Sequence, residues 1–236
     1  MAGDVVPGQP HHIIPDGCVS IVGIRSGSAP ARTSLLGPRV SALVVPLHPG
    51  NQYWGVRFWP DAGALMLGTE ARALAGRVIA PVTEPAWAAG LARKLCACED
   101  AADVRANAGA LIEERLPHVP PLDEMVRAVV LAIIASRGAM SVADLARGTG
   151  LSERQLERRF GRAVGLTPKR FSRIRRMRSA LAHLLEPAPR TWSDVAADLG
   201  FSDHAHLVRD AVSLSGLTPR AIAGMTRAIR HESVRP

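Results

Sequence analysis

The chain has 236 residues, 47% of them hydrophobic and 21% charged, with a formal net charge of +8. That is enough chain for one large or two smaller domains with a sizeable core. Three cysteines without a framework spacing (Cys18, Cys96 and Cys98) exclude a disulfide scaffold. Met1 to Pro10 lack a secretory pattern, and no apolar run approaches the ~20 residues that span a bilayer, so a cytoplasmic, nucleoid-associated protein is expected.

The first sixty residues read as β structure. Ile13-Ile14, a Pro15-Asp16-Gly17 turn, and Cys18 to Val22 form a strand–turn–strand pattern. A Ser/Gly/Pro-rich loop runs from Ser26 to Arg32. Val40 to Val45 and Tyr53 to Phe58 are two more strand candidates around the His48-Pro49-Gly50-Asn51 turn. From Asp61 the pattern is helical: Ala62–Leu67, Glu70–Ala75, Ala86–Ala97 and Ala101–Leu116. Three prolines between Pro117 and Pro121 then mark a linker, and we divide the chain there into residues 1–118 and 119–236.

The charge divides at the same place. Ten basic and ten acidic residues precede position 121, whereas nineteen basic and eleven acidic residues follow it. A neutral half joined to a basic half points to a module that binds a polyanion. The second half opens with an amphipathic helix, in which Leu122, Met125, Val126, Val129, Val130, Ile133 and Ile134 recur at helical spacing. Asp123 is its N-cap and Gly138 its stop.

A repeat follows. Asp144, Ala146, Gly150 and Ser152 match Asp194, Ala196, Gly200 and Ser202. Both copies end in Gly-Leu-Thr-Pro, at Gly165–Pro168 and Gly216–Pro219, one residue further apart, so the second copy carries an insertion between Asp203 and Leu207. Each copy has helix-turn-helix grammar: a small Ala in the first helix, a turn Gly suited to positive φ, a plugging Leu151 or Phe201, and a hydroxyl N-cap. The free N–H groups of the second helix can receive a phosphate at Ser152 or Ser202. In the first copy, Arg154, Arg158, Arg159 and Arg162 surround the inward Leu156 and Phe160. The bland alternative is a solvated face laced by i,i+4 ion pairs. Pro168 to Leu185 forms a long joining helix with Lys169, Arg170, Arg173, Arg175, Arg176 and Arg178, its buried side marked by Met177, Leu181, Leu184 and Leu185.

Paired units, a basic joining helix and the repeated Gly-Leu-Thr-Pro resemble the DNA-binding domain of AraC/XylS transcriptional regulators, over Leu122 to Thr226. The resemblance implies an α+β chain: an N-terminal partial β-barrel with helices, then an all-α domain of two helix-turn-helix units joined by a long helix. It implies base contacts from Arg154, Glu157 and Arg158, and from Ala205, His206 and Arg209 with His204 beside them. Ser152, Arg159, Arg162, Lys169, Arg170, Arg173 and Ser202 are the expected phosphate contacts. The second unit departs from the pattern: Ala211 stands where the first has Phe160, and Asp210 puts a negative charge near the expected DNA face.

Ile14 to Cys18, Leu36-Gly37-Pro38 and Gly55 to Pro60 resemble a small sensor-like domain that precedes this DNA-binding domain in actinobacterial regulators. Fourteen residues precede Pro15, where the resemblance implies more, so a barrel short of a strand is one expectation. Double-stranded DNA is the expected partner. RNA polymerase, a small-molecule effector and a second copy of the chain are further candidates, and no membrane or cofactor is expected.

Other constellations weigh less. His11, His12, Cys18 and His48 match no zinc spacing, and Cys96 and Cys98 point apart on a helix. No catalytic cluster supports an enzyme. Arg57 and Trp54 are weak ligand candidates, set against an outward Arg and a core Trp. The competing classes are a sequence-neutral architectural DNA binder and a small-molecule protein or enzyme whose basic half is incidental.

Overall fold

A computed structural model describes residues 10–183 and 191–222. The N-terminal part holds two open antiparallel sheets, not a closed barrel. Strand β2 (Ser20–Ser26) lies between β3 (Arg32–Leu36) and β5 (Asn51–Arg57), and the short β6 (Val78–Ile79) extends β3. In register, Ser20 faces Leu36 on one side and Arg57 on the other. The ring of Trp54 crosses directly over Gly23, where any side chain would collide with it.

The strands around Pro15-Asp16-Gly17 do not pair with each other. Asp16 Oδ1 accepts the Cys18 N–H at 2.9 Å, and β1 (Pro10–Ile13) leaves to pair with β4 (Leu43–Pro46), His11 opposite Val45. Arg32–Leu36, outside the strands that the sequence predicts, is β3. Its polar Thr33 and Ser34 hide the period, although Leu35 and Leu36 enter the core.

Helices α1 (Gly63–Leu67), α2 (Ala71–Leu74), α3 (Ala86–Cys96) and α4 (Ala101–Arg115) match the four helical segments of the sequence reading. Ile21, Leu35, Phe58, Leu67, Leu91 and Leu95 meet in one core. The Arg25 guanidinium donates to the carbonyls of Cys96 and Cys98, fixing the end of α3 on β2.

The remaining helices are α5 (Glu124–Ala135), α6 (Val142–Thr149), α7 (Glu153–Val164), α8 (Pro168–Ala182), α9 (Trp192–Asp198) and α10 (His204–Ser215). Each begins with a side chain that accepts a free N–H of its first turn: Asp123, Ser141, Ser152, Thr167, Thr191 and Asp203. Val126, Val130, Ile133, Leu156, Phe160, Phe171, Ile174, Met177 and Leu207 fill a second core. The Phe160 and Phe171 rings stack tilted, with centroids 5.7 Å apart. Full burial of each such ring contributes roughly 2–3 kcal/mol. Leu184 and Leu185, and the stretch from 223 to Thr226, lie outside the described residues.

The two cores meet along a seam. The Asp61 carboxylate, 2% exposed, accepts from Arg127 at 3.2 Å. Gly17 packs on the Phe171 ring, and Gly165 at the end of α7 packs on the Ala71 carbonyl. At the far end, His12 Nδ1–H donates to the Ser215 carbonyl at 2.9 Å.

Candidate nucleic-acid interface

Two helix pairs repeat one geometry. Ala146 and Ala196 are buried in the first helices, α6 and α9. Gly150 and Gly200 then turn the chain at φ +68° and +69°, a conformation that glycine adopts without strain. Leu151 and Phe201 plug the two angles. In the first pair Ser152 caps α7 in a capping box with Gln155.

Helix α7 separates its faces cleanly. Leu156, Phe160 and Val164 are 0% exposed. Arg154, Glu157, Arg158 and Arg162 are exposed opposite them. Arg154 and Arg158, four apart, share one face, and neither makes an ion pair with another described residue. Lys169 and Arg170 lie exposed on the first turn of α8.

Residues 145–224 match the family model described as a helix-turn-helix domain. They are an AraC/XylS-type helix-turn-helix domain. The chain that carries it is a DNA-binding transcriptional regulator. Residues 2–80 match a domain of unknown function, DUF6597. Among solved structures, ToxT from Vibrio cholerae is 12% identical with TM-score 0.51, covering 94% of this chain and 96% of that one. ToxT from Vibrio cholerae O395 is 11% identical with TM-score 0.51, covering 94% and 95%. That likeness is one of fold: β structure first, helices after. A probable AraC family transcriptional regulator from Rhodopseudomonas palustris CGA009 is 28% identical, covers 44% of this chain and 97% of that one, and has TM-score 0.40. No curated protein matches the chain.

The second unit of the AraC/XylS-type domain differs from its sequence reading in three places. Asp203, not Ser202, caps α10, its Oδ1 accepting the His206 N–H. That bond holds the Asp203 carboxyl below the usual carboxylate range. The extra residue therefore falls before Asp203, because the capping position of the second copy is displaced by one. Asp210 faces inward: its side chain is 8% exposed and accepts from Arg173 Nε at 2.7 Å. His206 is half-buried, edge-on to the Phe201 ring at 5.3 Å, with Nδ1 3.1 Å from the Ser202 hydroxyl. His204, Ala205 and Arg209 remain exposed on α10, with Arg209 3.9 Å from Asp203.

Two arginines expected on phosphates form ion pairs with acids of the chain while staying part-exposed. Arg159 grips Asp123 with two nitrogens, at 2.8 and 3.0 Å, fastening α7 to the start of α5. Arg173 fastens α8 to α10 through Asp210 and stays 41% exposed. Arg176, one basic residue among several on α8, ties the turn before α6 to the turn of the second unit. It donates to the carbonyls of Gly138 and Gly200 at 2.8 and 3.3 Å and lies over the Phe201 ring. A basic residue on the buried flank of α8 was the available signal.

The weak ligand candidates separate. Trp54 packs against the N-terminal core, whereas Arg57 points outward, 60% exposed, in an ion pair with Asp16 at 3.0 Å. Among the described residues no cluster of His, Cys, Asp or Glu is placed to hold a metal, and no helix is long and apolar enough to cross a membrane.

Proposed function

We propose that this regulator binds a specific double-stranded DNA site by laying α7 and α10 into the major groove, with α7 the dominant reader. The exposed Arg154, Glu157 and Arg158 opposite a fully buried stripe support this reading. Arg forks match guanine edges, and a bidentate pair contributes about 1–3 kcal/mol of base discrimination. Lys169 and Arg170 on the first turn of α8, with Arg162, supply sequence-neutral phosphate contacts. In α10 the exposed set is smaller, His204, Ala205 and Arg209, so the second half-site is read more weakly. Residues 119–236 are taken as the AraC-type DNA-binding domain and residues 1–118 as an effector or dimerisation domain, a division supported by the two cores.

Selection of bound duplexes from a random pool tests this directly. The expected product is a two-part motif with half-sites about one DNA turn, ~34 Å, apart and the stronger consensus in one half. Arg158→Ala should then weaken binding to the selected site by about 1–3 kcal/mol and relax base choice at one position. Similar affinity for every duplex would instead identify an architectural binder.

A further inference from the structure

Position 161 of α7 is bare. Arg154, Arg158 and Gly161 follow one another at i, i+4 and i+7, so they line one helix face. Gly161 presents no side chain there, and the place is taken from outside the domain: a Cβ at Gly161 would lie 3.3 Å from Nη2 of Arg72, on α2. Helix α2 is held in position, because the Ala71 carbonyl and the Pro38 ring pack on Gly165, which caps the end of α7. Arg72 is exposed and makes no ion pair or hydrogen bond with another described residue, even though Glu157 is a helical neighbour of Gly161.

We infer that Arg72 of the N-terminal domain completes the basic face of α7 and contacts a DNA phosphate beside the first half-site. An exposed guanidinium with no acid partner among the described residues, on the helix face that carries Arg154 and Arg158, offers a DNA phosphate a charge-assisted contact. Gly161 allows the approach, since a longer side chain there would displace Arg72. The inference rests on α7 being the groove-reading helix.

The test uses the full chain and a duplex selected from the random pool, with dissociation constants measured across a salt series. Losing one phosphate contact lowers the slope of log K against log salt by about 0.9, which corresponds to about five-fold weaker binding at ~0.15 M salt. Arg72→Ala should show that change equally on selected and random duplexes, with an unchanged unfolding midpoint, and Arg72→Glu should weaken binding further. An unchanged slope in Arg72→Ala overturns the inference, as does tighter binding, which would make α2 an obstacle to DNA. Arg158→Ala measured alongside separates the two readings. If it loses base choice while Arg72→Ala changes nothing, only the Arg72 contact fails; if it changes nothing, α7 is not the reader.

Discussion

Arg173 Nε donates to Oδ1 of Asp210 across the contact between α8 and α10, at 2.7 Å. The carboxylate is buried and the guanidinium half-exposed. Removing the acid leaves an arginine that water can still reach. Removing the arginine strands a buried charge, which is the costlier change. Asp210→Ala should therefore destabilise the protein by about 1–2 kcal/mol, and Arg173→Ala by more. Urea unfolding followed by circular dichroism measures both. On DNA, Asp210→Ala should lose affinity chiefly through the second half-site, seen by comparing duplexes with that half intact or scrambled.

Asp123 serves two helices. Its carboxylate accepts the N–H groups of Met125 and Val126 and both prongs of Arg159. Asp123→Ala loses a cap and an ion pair together and should cost about 1–3 kcal/mol. Arg159→Ala should lower the unfolding midpoint and leave the salt dependence of DNA binding unchanged. Arg162→Ala should do the reverse, flattening the salt slope by about one unit. A flattened slope in Arg159→Ala would return that residue to the phosphate contacts.

Acid should loosen the second unit through Asp203. Its folded carboxyl titrates below the ordinary 3.8, chiefly because the His206 N–H bonds it. A depressed acid stabilises the fold fully above its unfolded value, and that contribution disappears as pH falls through the folded value. Asn caps as well as Asp but carries no charge. The melting temperature of Asp203→Asn should therefore approach that of the parent as pH drops from about 5 to below 3. A constant gap between the two proteins would contradict the assignment.

Burial, reinforced by the nearby Asp16 carboxylate, pushes the Cys18 thiol up to about 12. The thiolate is the reactive form. Iodoacetamide should label Cys18 far more slowly than an ordinary thiol between about pH 7 and 9 and reach normal rates only on unfolding. Mass spectrometry of the labelled peptide measures this. Rapid labelling of the folded protein would show that the 16–18 turn opens.

The helical half was legible because its signals are local. Periodicity marked Leu156 and Phe160 as buried, the turn glycines fell at 150 and 200, and Asp123 and Ser152 cap their helices. Partnerships between distant residues were not legible. Arg159 and Asp123 are 36 positions apart, and Arg173 and Asp210 are 37 apart. A basic residue on a basic helix reads as a DNA contact until its acid is located in space. The cap at Asp203 was missed because Ser202 is an equally good capping residue and only backbone geometry separates them. In the sheets, the departure of β1 toward β4 depends on non-local pairing, which alternation along one strand does not encode.

Arg176 ties α8 to the turn before α6 and to the turn of the second unit, and Arg173 ties α8 to α10 through Asp210, which sets how the second unit sits against the start of the first. On the proposed reading, this gives the protein a fixed phase as well as a fixed span. A base pair inserted between the half-sites rotates the far one by about 35° around the duplex axis. The protein can then seat one helix or the other, and sites with the right bases in the wrong phase are rejected without any base being misread.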